Sequence, residues 1–256
     1  MANKHGQTLN IVLDDVGSTV GIRVAEPTGV ASDNLLLSTW GASFILANQL
    51  HKIDVSAALF SGPPQERERE HVHKNVPRPK VLELGAGTGL VGMTAAILWR
   101  TNAILTDLPG IIPGIRANIV ANTSNLSKAS ASIQAGTLDW LNPTCLALTN
   151  INSSTISPTE DNKFPVVLAA DVVYDEDHPS LLLNTVRVWL APGPNSRFIL
   201  CYPSRMAYLD IIRDLWQKFE DAGLQCVEEG QQTGDASWDE EAPYEWSAWR
   251  WKGRGW

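Results

Sequence analysis

Hydrophobic and polar positions alternate at two different periods along this chain, and the change of period marks the elements. In residues 8–25, Leu9, Ile11 and Leu13 alternate with polar positions. A turn signal at Asp14–Ser18 follows, and Gly21–Val24 resumes the strand pattern, so a β-hairpin is predicted. Residues 35–52 change to helical spacing through Phe44, Ile45, Leu50 and Ile53, with Ser38 or Thr39 available as a cap. From Lys80 onward short apolar runs alternate with amphipathic ones. The strand candidates are Val81–Leu84, Ala103–Thr106, Ser132–Gly136, Val166–Ala170, Phe198–Tyr202, Leu224–Glu228 and Tyr244–Trp251. The helix candidates are Leu90–Trp99, Ile111–Ala121, Pro179–Leu190 and Arg205–Ala222. This rhythm predicts an α/β fold with a mostly parallel sheet covered on both faces. No helix fits between the last two strands, so they are expected to form an antiparallel hairpin, with Trp246, Trp249 and Trp251 closing the sheet edge. Residues 61–79, 123–130 and 142–163 lack periodicity and read as loops.

Composition narrows the class. The 256 residues are 44% hydrophobic and 19% charged, which suits a globular domain and not a disordered segment. A net charge of −8 argues against a protein that grips phosphate backbones, so no nucleic-acid partner is expected. Cys145, Cys201 and Cys226 are too few and too scattered for a disulfide framework or a CxxC metal site. Apolar runs fall short of a membrane span, and residues 1–10 carry no apolar stretch of the secretory kind. A cytoplasmic protein with no membrane partner is the expectation.

Two motifs carry candidate chemistry. The first is KVLELGAGTGLVG at residues 80–92, in which a strand runs into Gly85, Ala86, Gly87, Thr88 and Gly89 and a helix follows. Glycines at such a turn bring the backbone close to a ligand, and the helix start offers unpaired N–H groups. A dinucleotide fingerprint would place a third glycine where Leu90 stands. Glu83, two residues before the first glycine, would repel a pyrophosphate and suit a cation. Asp107 ends the next strand, where a carboxylate can accept both hydroxyls of a ribose. A phosphate-free, positively charged adenosine ligand satisfies all three, and S-adenosylmethionine has that description. The second motif is FPVVLAADVVYDEDHP at 164–179, a buried strand ending in Asp171 with Tyr174 three residues on. Strand ends of this kind overlook the ligand crevice in open α/β sheets. Asp175, Glu176, Asp177 and His178 read instead as helix-start chemistry.

ELGAGTG, the Thr106-Asp107 pair, Leu138-Asp139-Trp140 and Asp171-Val172-Val173-Tyr174 together resemble the seven-β-strand protein-lysine methyltransferases, over roughly residues 35–252. AADVVYDEDHP and LCYPSR are similar to fungal enzymes that methylate translation elongation factor 1-alpha. The resemblance implies a Rossmann-like class I methyltransferase with seven strands, the last antiparallel. It implies one domain over 1–256, with an N-terminal hairpin extension (1–34) and a core (80–252). It implies S-adenosylmethionine as cofactor, held by Trp40, Glu83, Gly85, Ala86, Gly87, Asp107, Trp140 and Ala170. Asp171 and Tyr174 would be catalytic, and a monomer would act on elongation factor 1-alpha. The reaction would be displacement of the sulfonium methyl by a neutral lysine amine. Arg205 would contact the substrate, hold the Asp171 loop or stand solvated at a helix start, and Asn118 and Asn122, one helical turn apart, would cap or brace the loop after the second helix. A small-molecule methyltransferase and a non-catalytic cofactor-binding partner are the competing readings.

Overall fold

Val166–Ala170 is a run of five apolar residues, and all five are buried. Only a strand sandwiched between two layers of helix leaves no polar position along its length. In the computed structural model this strand (β8) lies near the middle of a nine-stranded sheet. The structure describes residues 6–25, 41–60, 78–149, 154–234 and 243–253.

The chain enters through a separate hairpin, β1 (Gln7–Val12) and β2 (Thr19–Val24), paired in antiparallel register. Helix α1 (Gly41–Gln49) follows. Strand β3 (Val81–Leu84) then starts the main sheet, followed by α2 (Leu90–Leu98), β4 (Ala103–Asp107), α3 (Ile112–Ala121), α4 (Thr123–Lys128) and β5 (Ile133–Leu138). Short strands β6 (Leu146–Leu148) and β7 (Thr155–Ile156) precede β8. The chain continues through α5 (His178–Trp189), β9 (Arg197–Pro203), α6 (Leu209–Asp221), β10 (Leu224–Gln232) and β11 (Tyr244–Trp251). The strand order is β10-β11-β9-β8-β3-β4-β5-β6-β7. Pairings among β9, β8, β3, β4 and β5 are parallel, while β11 runs antiparallel to both β9 and β10.

Alternation along the strands divides the core in two. Val81 faces the layer of α1, α2 and the hairpin, whereas Leu82 and Leu84 face the layer that includes Trp189 of α5 and Phe219 of α6. Helix α6 buries Ile212, Leu215 and Phe219, one stripe at helical spacing. Pro113 begins α3 near its first turn, where its missing N–H costs nothing.

Four expectations are corrected. Among the described residues the sheet has nine strands, because the polar stretch 142–163 contributes β6 and β7, both antiparallel additions beyond β5. Residues 123–128 are helical: Leu126 packs into the core and the turn follows α3 almost without a break. The tryptophan-rich β11 does not close the edge. It inserts between β9 and β10, so Trp249 is fully buried under α6, edge-on to Trp216 at 4.7 Å and Phe219 at 5.1 Å. Asn118 and Asn122 brace the hairpin. The Arg23 and Ala25 N–H groups donate to the side-chain oxygens of Asn122 and Asn118 at 2.9 Å each. The same amides return bonds to the Arg23 and Ala25 carbonyls, at 2.6 and 3.2 Å, and Asn125 reaches the Gly21 carbonyl at 2.8 Å. Three asparagines thus stand in for a missing neighbouring strand along β2, satisfying backbone groups that burial would otherwise leave unpaired.

Candidate active site

The chain builds β3, β4 and β5 in one direction across the sheet, then returns to the other side of β3 for β8 and β9. That reversal opens a crevice at the carboxyl ends of β3 and β8. Gly85, Ala86 and Gly87 follow β3, Asp107 ends β4, Trp140 stands two residues beyond β5, and Ala170 and Asp171 end β8. Tyr174 follows Asp171 by three residues. The structure therefore gathers every described site candidate at one end of the sheet. Trp40 lies outside the described residues.

Gly85, Gly87 and Gly89 have φ of +63°, +54° and +81°, a region that disfavours side chains. A Cβ on Gly85 would also stand 2.7 Å from Val172 Cγ1, with Trp140 Cζ2 at 3.7 Å. At Gly87 a Cβ would meet nothing within 4 Å, so this side of the loop borders open space. The Gly87 N–H donates to Asp107 Oδ2 at 2.8 Å, and the Leu108 N–H donates to Oδ1 at 2.7 Å. These bonds fix the carboxylate against the loop, but burial outweighs them and raises its pKa.

Glu83 is 2% exposed. Its carboxylate lies beneath the loop and accepts the Gly92 N–H of α2 at 3.0 Å. Burial pushes its pKa up to about 8, with the charge of Asp107 adding to the effect. Gly92 is needed for that fit, since a Cβ there would stand 2.5 Å from Glu83 Oε2.

Asp171 adopts φ +56°, a left-handed conformation rare for a residue with a side chain. Its N–H donates to the Cys201 carbonyl of β9 at 2.9 Å, which turns the chain as β8 ends. Desolvation raises the Asp171 pKa and Arg205 opposes the rise. The Arg205 Nη1–Asp171 Oδ1 distance is 3.8 Å. Of the roles expected for Arg205, the structure displays the hold on Asp171. Tyr174 is half-exposed, and burial followed by the charges of Asp107, Asp171 and Asp175 raises its pKa.

Two residues at the site escaped the sequence reading. His178 packs edge-on to Tyr174 at 4.5 Å and to Trp140 at 6.0 Å, and its Nδ1 accepts the Tyr174 N–H at 3.3 Å. The Tyr174–His178 spacing of four residues at a helix start was the available signal. Tyr244 is buried, and its pKa is raised by burial and then by Asp171. Its ring fills the space a Cβ on Gly41 would need. Nothing local in the sequence points to it.

Glu83, Asp107 and Asp171 converge on the crevice end of the sheet, all three held above the usual carboxylate range by burial. Arg205 is the cation that enters among the causes of these shifts. Burial disfavours the charge on each acid and a cationic ligand would restore it, while the glycine loop beside an acid at the second strand's tip matches an adenosine.

Comparison with known proteins agrees with this reading. A family described as lysine methyltransferase matches residues 25–209. The chain is 29% identical over 234 residues to protein-lysine N-methyltransferase EFM2 of Saccharomyces cerevisiae, covering 86% of this chain and 49% of that protein. It is 27% identical over 244 residues to protein-lysine N-methyltransferase rrg1 of Schizosaccharomyces pombe, covering 91% and 68%. It is also 33% identical over 117 residues to EEF1A lysine methyltransferase 3 of Xenopus tropicalis, covering 44% and 42%. The chain thus spans about half the length of EFM2. Among solved structures, P. horikoshii TYW2 in complex with MeSAdo superposes with a TM-score of 0.51 at 10% identity, over 99% of this chain and 74% of that one. The fold is that of the class I S-adenosylmethionine-dependent methyltransferases.

Proposed function

This chain belongs to the lysine methyltransferase family, and we propose that it is an S-adenosylmethionine-dependent protein-lysine N-methyltransferase acting on translation elongation factor 1-alpha. The observation that carries the reading is Asp171, strained into a left-handed turn at the end of β8 and backed by Arg205, beside the glycine loop and Asp107. The elongation-factor substrate is supported by the name of the Xenopus tropicalis relative.

In this reading Gly85, Ala86 and Gly87 pass their backbone along the methionine part of the cofactor. Asp107 accepts the ribose hydroxyls, Trp140 packs beside the adenine, and Ala170 forms the floor. The resemblance assigns Trp40 to the cofactor as well. Glu83 supports the loop from beneath, its carboxyl accepting the Gly92 N–H. Bound there, the cofactor supplies an electrophilic methyl group on a positively charged sulfur.

The chain's own residues prepare the nucleophile. A lysine ammonium, with a pKa of about 10.4 when free, must lose a proton before its nitrogen can attack. Asp171, whose ionised form Arg205 favours against burial, attracts and orients the incoming ammonium. Tyr174 offers its hydroxyl and ring to the same group, and His178 holds Tyr174 in place. Burial of the amine as the substrate docks then disfavours its charge, and the proton leaves to water.

Incubation with methyl-labelled S-adenosylmethionine and a lysate lacking the enzyme tests the reading. Label on a lysine of elongation factor 1-alpha is expected. Label confined to small solutes would assign a small-molecule methyltransferase, and no label at all would leave a cofactor-binding partner.

A further inference from the structure

We infer that a hollow between α6 and the β10–β11 hairpin is a second recognition site, which holds the cationic side chain of a lysine or arginine of the protein substrate. The inference rests on the protein-substrate reading above and names the chemistry by which that substrate is selected. The hollow has a volume of about 350 Å³ and is bounded by Tyr202, Trp216, Glu229, Gln231, Glu245 and Trp246. On the face these side chains share, two aromatic side chains, Tyr202 and Trp216, and two carboxylates line it, and among the described residues no cation does.

The lining is built for a charge. Tyr202 of β9 stands opposite Glu245 of β11, which stands opposite Gln231 of β10, so these three side chains share one face of the sheet. Trp216 Nε1 donates to the Tyr202 hydroxyl at 2.9 Å, and that hydroxyl donates to Glu245 Oε2 at 3.3 Å. The chain of bonds fixes the carboxylate from one side. Among the described residues no ion pair engages Glu229 or Glu245. Trp246 turns its indole to the opposite face of the sheet, over Gly230, where a Cβ would stand 2.7 Å from it.

Aromatic faces attract ammonium and guanidinium groups, and a carboxylate beside them adds Coulomb attraction. An acidic ligand would meet like charge. An apolar one would desolvate two carboxylates without compensation. The sequence joining the two strands adds Asp235, Asp239, Glu240 and Glu241, which extends the same sign of charge. The hollow also shares a strand end with the candidate catalytic acid. Tyr202 follows Cys201, whose carbonyl holds the Asp171 N–H, and precedes by three residues Arg205, which pairs with Asp171.

The test uses the tripeptide Gly-Arg-Gly, blocked at both ends, with blocked Gly-Glu-Gly as control. The indole N–H resonance of Trp216 is followed by heteronuclear NMR and assigned with Trp216→Phe, and that of Trp246, on the opposite face, serves as the reference. Gly-Arg-Gly is expected to shift the Trp216 resonance and Gly-Glu-Gly to leave it in place, and the double variant Glu229→Gln/Glu245→Gln should lose the response while its circular dichroism stays native. The same variant should raise KM for the protein substrate about tenfold with kcat unchanged. Equal shifts from both peptides, or none from either, would overturn the inference. A peptide response without methyl transfer refutes the proposed reaction and leaves the hollow standing. Methyl transfer with KM unmoved by the double variant refutes the hollow and leaves the reaction standing.

Discussion

Asp171 and Arg205 face each other across the ends of neighbouring parallel strands, 3.8 Å from carboxylate oxygen to guanidinium nitrogen. Burial drives the carboxyl toward its neutral form and Arg205 drives it back. An acid that must capture an ammonium has to be ionised, so this arginine sets the pH at which the site becomes competent. Arg205→Ala removes the opposing influence, and the Asp171 pKa rises further. The acid limb of the kcat/KM profile should therefore move to higher pH, with Arg205→Lys falling between variant and wild type. An unshifted limb would remove Arg205 from this role.

Asp107 is tied to Gly87 and Leu108 and stands at the tip of the second strand. Asp107→Ala loses the acceptor for the ribose and releases the loop N–H. Titration calorimetry with S-adenosylhomocysteine should show affinity weakened about tenfold or more, the loss of one charged hydrogen bond of about 1.5–3 kcal/mol. An unchanged dissociation constant would place the nucleoside elsewhere.

Glu83 makes a prediction about stability alone. Its folded-state pKa of about 8 lies above its ordinary value of 4.5. Between those values the folded chain holds a proton that the unfolded chain releases. Wild-type stability from this group is therefore complete below about 4.5 and declines as pH rises toward about 8, by up to about 1.4 kcal/mol per unit crossed. Glu83→Gln stays neutral and keeps its bond to Gly92. Urea unfolding should show the variant gaining on wild type as pH rises through that window. Parallel stability curves would contradict the burial argument.

Asn122 is 2% exposed and bonds both the N–H and the carbonyl of Arg23. Asn122→Ala leaves both groups unpaired beside a cavity, at a cost of about 1–3 kcal/mol. Amide exchange at Arg23 and Ala25 should speed up well before exchange in β3 or β8 does. Uniform exchange changes throughout the chain would mean that the hairpin is not held by the asparagines.

How much of this was legible in the sequence depends on how local each cause is. Val81–Leu84, Val166–Ala170 and Tyr244–Trp251 match the observed strands because each is a continuous or alternating apolar run. The glycine loop was legible because three glycines at a strand-to-helix turn have few other uses. Thr123–Lys128 was not, since its Ser, Thr and Asn favour loops locally, and its helix is held by one buried leucine and by contacts to distant parts of the chain. Strands β6 and β7 are three and two residues long, too short to display a period. The partner of Asn118 and Asn122 lies 93 and 99 residues away, so their i, i+4 spacing revealed a shared face but not its occupant. At the site, Asp107 and Asp171 stood out by following apolar strands, whereas Tyr244 arrives from a strand whose place in the sheet is set by pairings across the whole domain.

The most direct test of the central claim is methyl transfer by Asp171→Asn, read as the mass of one methyl group on a substrate lysine, alongside calorimetric affinity for S-adenosylhomocysteine in the same preparation. The account predicts loss of transfer by at least about a hundredfold with cofactor affinity essentially that of wild type. Wild-type turnover in this variant, or cofactor binding that disappears together with transfer, would contradict it.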